Sequence, residues 1–161
     1  MRKELLLTLI LTACTAVMPQ YATAQTGVYD PATARIAAEK VLSITKKILA
    51  LARETRPSTR DDPANPAIVN TMTRYINIKE EQADLVQSEL LHLWVGYFKP
   101  VHLAGYPDLH ETIWNAAKLC DAVQADVSLE ISQKLLEAVK NIHNIYWGTR
   151  GRKVPFTLAT Q

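Results

Sequence analysis

Cysteine and glycine are scarce in this 161-residue chain, and their scarcity excludes several kinds of site. The two cysteines are Cys14 and Cys120, and the first falls in a predicted signal, so the mature chain has no intramolecular disulfide. The five glycines build neither a phosphate-binding loop nor a G-x-S-x-G turn. We therefore predict no enzyme and no cofactor, and we expect the stability of the fold to come from apolar packing.

The sequence shows neither a strong charge bias nor the alternating pattern of β-strands. Eighteen basic residues face sixteen acidic ones, for a formal net charge of +2. Because these charges are spread along the chain, they indicate no nucleic-acid partner. No segment alternates apolar and polar residues over a strand length, so the sequence predicts an all-α fold.

The first 24 residues have the pattern of a cleavable export signal. Arg2 and Lys3 precede an apolar stretch that is too short to span a membrane, and Ala22-Thr23-Ala24 forms a cleavage site. This pattern predicts a periplasmic or secreted protein that begins at Gln25. The alternative is a lipoprotein anchored at Cys14, because Leu11-Thr12-Ala13-Cys14 resembles a lipobox. The predicted domains are the signal (1–24), a helical bundle (25–148) and a basic C-terminal tail (149–161).

Two helices are predicted from apolar positions spaced three and four residues apart. Helix 1 begins at Asp30-Pro31 and runs to about Glu54, and prolines then interrupt the pattern. Helix 2 begins at Asn65-Pro66 and runs to Phe98, with Lys79 as the one charged residue in its apolar seam.

Helix 3 is predicted from Asp108, which would cap it together with Glu111, to Trp147. Its heptad pattern shifts by four residues near Asp126. Such a stutter fits either one locally unwound helix or a kink into two. We favour continuity, since neither Gly nor Pro interrupts the segment, and we place the helix stop at Gly148.

Three helices of unequal length predict an elongated antiparallel three-helix bundle with heptad-like seams. Helix 1 is the shortest, so the connected ends of helices 2 and 3 should extend beyond it. This tip is rich in aromatic residues. Either the N-terminal segment with Val28 and Tyr29, or the loop between helices 2 and 3, folds over it as local core, or it forms a docking surface for a partner. The docking interpretation assigns partner binding to Leu91, Trp94, Tyr97, Phe98, Tyr106 and Trp114.

Histidine and cysteine placement does not predict a metal site. His92 and His110 could approach each other, but His92 lies on the outer side of helix 2 and His110 flanks the seam of helix 3. Cys120 falls on the seam of helix 3, where we expect a buried and unreactive thiol.

The functional hypothesis is an exported interaction protein that docks a protein partner in the envelope or the extracellular space through its apolar tip. In signal, length and architecture, the chain resembles the helical minor components of type IV secretion pili. A periplasmic immunity protein and a carrier of a small ligand are the alternatives. A homo-oligomer is also compatible with an exposed tip.

Overall fold

The computed structural model describes residues 28–55 and 65–159. The predicted signal, its cleavage site and Cys14 lie outside these residues, so signal cleavage and export stay predictions. Within the described ranges every regular element is helical and no strand is present, which confirms the all-α class.

The described residues contain four long helices and one short one. Helix α1 spans Ala32–Glu54 and α2 spans Pro66–His92, followed directly by a π-helical turn, Leu93–Tyr97. The four-residue helix α3 spans Pro100–Leu103, and α4 (Leu109–Ala125) and α5 (Leu129–Thr149) complete the fold. The predicted count of three helices was therefore wrong.

The four long helices form a ring in which each contacts two others: α1 packs on α2 and α5, and α4 packs on the same two helices. Hydrogen bonds show that α2 and α4 are antiparallel, since Gln87 pairs with Asp121 and Gln124 pairs with Asp84. The arrangement is a four-helix bundle in place of the predicted three-helix bundle.

The break between α4 and α5 replaces the continuous third helix that the sequence favoured. Asp126 is extended, with φ −142° and ψ 159°, and Ser128 caps α5 by accepting a hydrogen bond from the backbone N–H of Ile131 at 3.3 Å. The ammonium of Lys79 donates to the carbonyls of Val123 and Asp126, at 2.5 and 2.8 Å. These carbonyls lie at the end of α4, where no further helical turn supplies backbone N–H groups to donate to them. The stutter thus marks a chain reversal.

The core follows the predicted seams for most of their length. The buried residues at predicted seam positions are Ala34, Ala37, Val41, Ile48, Ala83, Val86, Leu90, Leu93, Leu109, Ile113, Ala116, Cys120, Val123, Leu135, Ile142 and Ile145. Exceptions include Val69 on α2, which is 49% exposed, and Val127, which lies in the break and is only half-buried. The polar members of the interior include Thr45 and Ser132, whose hydroxyls pair at 3.0 Å between α1 and α5.

The helix ends differ in part from those predicted. Asn65 accepts a hydrogen bond from the N–H of Ala67 at 3.0 Å, as expected of an N-cap. Asp108 occupies its N-cap position without a side-chain hydrogen bond. Gly148 lies inside α5, and the chain turns at Gly151, whose φ of 64° favours glycine.

Residues 152–159, in the segment predicted as a basic tail, lie against the bundle. The carbonyl of Val154 is 3.0 Å from Nε2 of His143, and the N–H of Ala159 donates to Glu39 at 2.9 Å. Phe156 and Leu158 pack against the core. Among the described residues, no helix is both long and apolar enough to cross a membrane.

Candidate functional site

A cluster of aromatic rings and one guanidinium group lies where the described chain enters the bundle. It contains Tyr29 from the entering segment, His92 and Tyr97 from the end of α2, and Tyr146 and Arg150 from the end of α5, and we call it the Tyr29 cluster. The ring of Tyr29 lies edge-on to His92 at 5.4 Å and contacts Tyr97 at 5.9 Å. Tyr29 therefore packs over the tip as the local-core interpretation predicts, whereas Val28 is 97% exposed and does not cover it.

Tyr146 fixes the entering segment to the bundle. Its side chain is fully buried, and its hydroxyl donates a hydrogen bond to the carbonyl of Tyr29. Burial raises the pKa of Tyr146, an effect that the nearby Arg150 opposes. The phenol is therefore neutral at physiological pH and remains a donor.

Arg150 places a cation against this aromatic group. Its guanidinium carbon lies 4.8 Å from the ring centroid of Tyr146 and 5.1 Å from that of Tyr97. The hydroxyl of Tyr97 is 2.7 Å from Oγ1 of Thr149, which holds the ring beside the end of α5. Because both rings present their electron-rich faces to the guanidinium, the charge is held in place at the surface of the cluster.

Gly96 allows Tyr29 to approach the π-helical turn. A Cβ built on Gly96 would lie 2.5 Å from the hydroxyl oxygen of Tyr29 and 2.7 Å from its Cε1, closer than real Cβ contacts. Gly96 thus leaves room for the ring of Tyr29 at this turn. π-Helical turns are rare, and those that occur are frequently found at functional sites.

A cavity of about 240 Å³ opens beside Tyr29, at the first residues that the structure describes. Asp30, Glu89 and His92 supply its polar lining. Glu89 and His92 are three residues apart on one helix, a spacing that places two side chains on the same face. The sequence interpretation overlooked this pair.

The predicted partner-binding residues divide into two groups. Phe98 is a core residue, and Tyr97 and Tyr106 pack against the core. Leu91 and Trp114 are 59% and 62% exposed. These two line an outer groove of about 520 Å³ between α2 and α4, together with Trp94, His110, Glu111, Ile113 and Ala117. A role in partner binding stays a prediction for all six.

The thiol and imidazole groups of the described residues do not converge. Cys120 is fully buried on α4, which confirms its predicted placement, and burial together with nearby carboxylates raises its pKa to about 12. His110 packs on Trp94 with ring centroids 4.4 Å apart, and His102 accepts from the N–H of Lys99 at 3.1 Å. Within residues 28–55 and 65–159, no group of three or more His, Cys, Asp or Glu side chains is placed to hold a metal ion.

An oxidoreductase family has the same sequence pattern over most of the chain. The family described as "Nickel-containing superoxide dismutase" matches residues 23–150. The superoxide dismutase [Ni] of Streptomyces seoulensis is 37% identical over 124 residues, which are 77% of this chain and 83% of that protein. Its counterpart from Streptomyces coelicolor is 35% identical over the same shares of both chains.

Solved structures agree with the sequence match. The native structure of nickel superoxide dismutase superimposes with a TM-score of 0.66 at 31% identity, covering 82% of this chain and all of that chain. The apo structure of nickel superoxide dismutase gives a TM-score of 0.64 at 33% identity, covering 78% of this chain and all of that one.

The fold and the matches define a helical protein of the superoxide-metabolising oxidoreductases. More narrowly, the chain belongs to the nickel-containing superoxide dismutase family. The prediction that it is not an enzyme was therefore wrong. The hypothesis of a secretion-system component or envelope interaction protein was also wrong, along with its immunity-protein and carrier alternatives, because the relatives are dismutases.

Proposed function

We propose that this chain is an exported superoxide dismutase. One observation carries the proposal: the 37% identity to a superoxide dismutase [Ni] that extends over 77% of this chain. In the reaction, one superoxide anion gives up an electron and becomes dioxygen, and a second takes that electron and two protons and becomes hydrogen peroxide. The export pattern at residues 1–24 supports a site of action outside the cytoplasm.

The Tyr29 cluster supports the proposal by placing fixed positive charge where the chain enters the bundle. Superoxide is an anion, and positive groups near a site raise the rate at which an anionic substrate arrives. Arg150 is held against the rings of Tyr97 and Tyr146, and Arg152 lies 4.8 Å from the ring centroid of Trp147. The two guanidinium groups share one end of the bundle.

The metal named by the family does not fit the described side chains. A thiolate ligand requires a deprotonated thiol, whereas Cys120 is buried with a pKa of about 12. The described carboxylates and imidazoles form no group of three that could replace it. We therefore derive no step through nickel, and the role given to the chain's own residues is limited to attracting and orienting the anion.

The experiment is a cytochrome c competition assay on the protein purified from the exported fraction. We expect superoxide disproportionation that slows as ionic strength rises, since salt screens the guanidinium charges. Arg150→Gln should lower the second-order rate constant by a factor of about two to five and flatten its salt dependence. A rate no faster than spontaneous disproportionation would refute the proposal.

Lys134→Gln provides the matched control. It also removes one positive charge, but Lys134 is 2.6 Å from Glu130 near the start of α5, far along that helix from Arg150. If both variants lose the same fraction of the rate, net charge explains the effect and the Tyr29 cluster has no special part in it.

Self-association is proposed at the outer groove, where Leu91 and Trp114 expose apolar surface that a second copy would cover. Leu91→Glu should then shift the sedimentation coefficient toward that of the monomer. The control is Leu129→Glu, since Leu129 lies on α5 and is 36% exposed. This variant should leave the sedimentation coefficient unchanged. A wild-type protein that sediments as a monomer would refute this part of the proposal.

A further inference from the structure

The matched segment, residues 23–150, contains few soft donors for a redox metal. It contains one thiol and four imidazoles, and each belongs to a residue that the structure describes: Cys120, His92, His102, His110 and His143. No histidine or cysteine occurs anywhere between residues 15 and 91. The stretch 23–27, where the family match begins, therefore supplies neither type of donor.

Cys120 is enclosed by the core of the bundle. It lies on the buried face of α4, one helical turn from both Ala116 and Val123, and all three side chains are at most 1% exposed. A metal ion at this sulfur would have to replace close-packed apolar contacts, and no group of three His, Cys, Asp or Glu side chains among the described residues is placed to hold it there.

Each of the four imidazoles contacts a different neighbour. His92 is edge-on to Tyr29, and His110 is edge-on to Trp94. His102 accepts a hydrogen bond from the N–H of Lys99, and His143 is buried with its Nε2 3.0 Å from the carbonyl of Val154. Because these groups lie in different local environments, the described residues bring no two imidazoles and a thiol to one point.

We infer that residues 23–150 of this chain do not build a thiolate-ligated nickel centre, and that any thiolate donor other than the buried Cys120 must come from outside this segment. This inference rests on the proposed function, because a dismutase needs a group that exchanges electrons with superoxide. The one other thiol of the chain is Cys14. Cleavage after Ala24 would remove it, so processing decides whether the exported protein has any thiol besides the buried one.

The test is metal analysis of the exported protein, produced with nickel in the medium and desalted after purification. Mass spectrometry first identifies the N-terminal residue. For a chain that begins at Gln25, we expect substoichiometric nickel by elemental analysis and no thiolate-to-nickel charge-transfer absorption. Stoichiometric nickel with that absorption in the chain that begins at Gln25 would overturn the inference.

Cys120→Ala identifies the ligand if nickel is found. Loss of the metal in a variant that retains its helical circular dichroism would place the ligand inside the bundle, against the inference. If the isolated chain still contains Cys14, nickel that persists in Cys120→Ala and disappears in Cys14→Ser supports the inference, because the donor then lies outside the matched segment.

Activity measured on the same samples separates the two proposals. Dismutation without bound nickel supports the proposed function and the inference. Elemental analysis then identifies the metal that is present in place of nickel. If the samples show neither dismutation nor bound nickel, the proposed function is refuted and the inference is still supported. Dismutation with nickel that is lost in Cys120→Ala supports the function and overturns the inference.

Discussion

Replacement of Lys79 tests whether one buried cation holds the reversal between α4 and α5. Lys79 is 1% exposed, and its ammonium donates to the carbonyls of Val123 and Asp126. Lys79→Met retains an unbranched apolar stem but leaves both carbonyls without this donor. Hydrogen bonds from a charged group contribute about 1.5–3 kcal/mol each. The gain from no longer burying a charge offsets part of that loss.

We expect the free energy of unfolding to fall by about 2–4 kcal/mol, a large share of the roughly 5–15 kcal/mol that domains possess. Chemical denaturation monitored by circular dichroism measures it. The control is Lys118→Met, since Lys118 is 59% exposed on α4 and its ion pair with Asp121 is a surface pair of small value. Equal stability of the two variants would refute the role given to Lys79.

The pH dependence provides a second check on the same residue. Burial lowers the pKa of Lys79 from its ordinary 10.5, while Glu80 and Asp126 oppose that shift. Between the lowered folded value and 10.5, the unfolded chain binds more protons than the native one, so the contribution of Lys79 to stability rises with pH. The wild-type protein should show this rise relative to Lys79→Met, and parallel pH profiles would contradict it.

Two further predictions concern the Tyr29 cluster and are measured by thermal and chemical denaturation. Gly96→Ala should destabilise the fold by about 1–3 kcal/mol, because its Cβ would overlap Tyr29; Gly105→Ala, with its nearest atom 3.9 Å away, is the control and should cost less. Tyr146→Phe should cost about 1–2 kcal/mol through loss of the hydrogen bond to the Tyr29 carbonyl. Since the pKa of Tyr146 is raised in the fold, its stabilising effect should decline above the ordinary tyrosine value of 10.0, and a Phe variant with the same alkaline decline would refute this.

The bundle was predictable wherever periodicity alone determines the structure. Helix 1 was expected to end at about Glu54, where α1 ends, and Asn65 was expected to cap helix 2. Apolar spacing also placed Cys120 in the interior. These features depend on neighbours three or four residues away, which a single sequence displays directly.

The reversal at Asp126 was not predictable in the same way, although both of its signals were visible. Lys79 was noted as a charge in a seam, and the four-residue step near Asp126 was noted as a stutter. In the structure the two signals belong to one contact, because the ammonium of Lys79 donates hydrogen bonds to carbonyl groups at the end of α4. The two positions are 47 residues apart, so their contact is tertiary and no local pattern states it.

The candidate site shows a similar division. Tyr29 was one of two residues proposed to cover the aromatic tip, and its packing on His92 and Tyr97 agrees with that alternative. The oxidoreductase class was missed because the prediction relied on short catalytic motifs, whereas the family match extends over residues 23–150. The family resemblance is spread over residues 23–150 and rests on the pattern of a whole bundle.

Apolar packing and electron transfer make different demands on the side chains of the proposed dismutase, so family membership by itself does not specify the metal donors. The interior seams of α1, α2, α4 and α5 stabilise the bundle through apolar burial, which needs no metal ligand. A redox centre depends instead on a few donors at one point, and function in general resides in such sites more than in the fold that carries them. The bundle can therefore keep the family's architecture while Cys120 serves as a core residue. Determining the N-terminal residue and the metal content of the exported chain addresses the donors directly, which a further structural match cannot do.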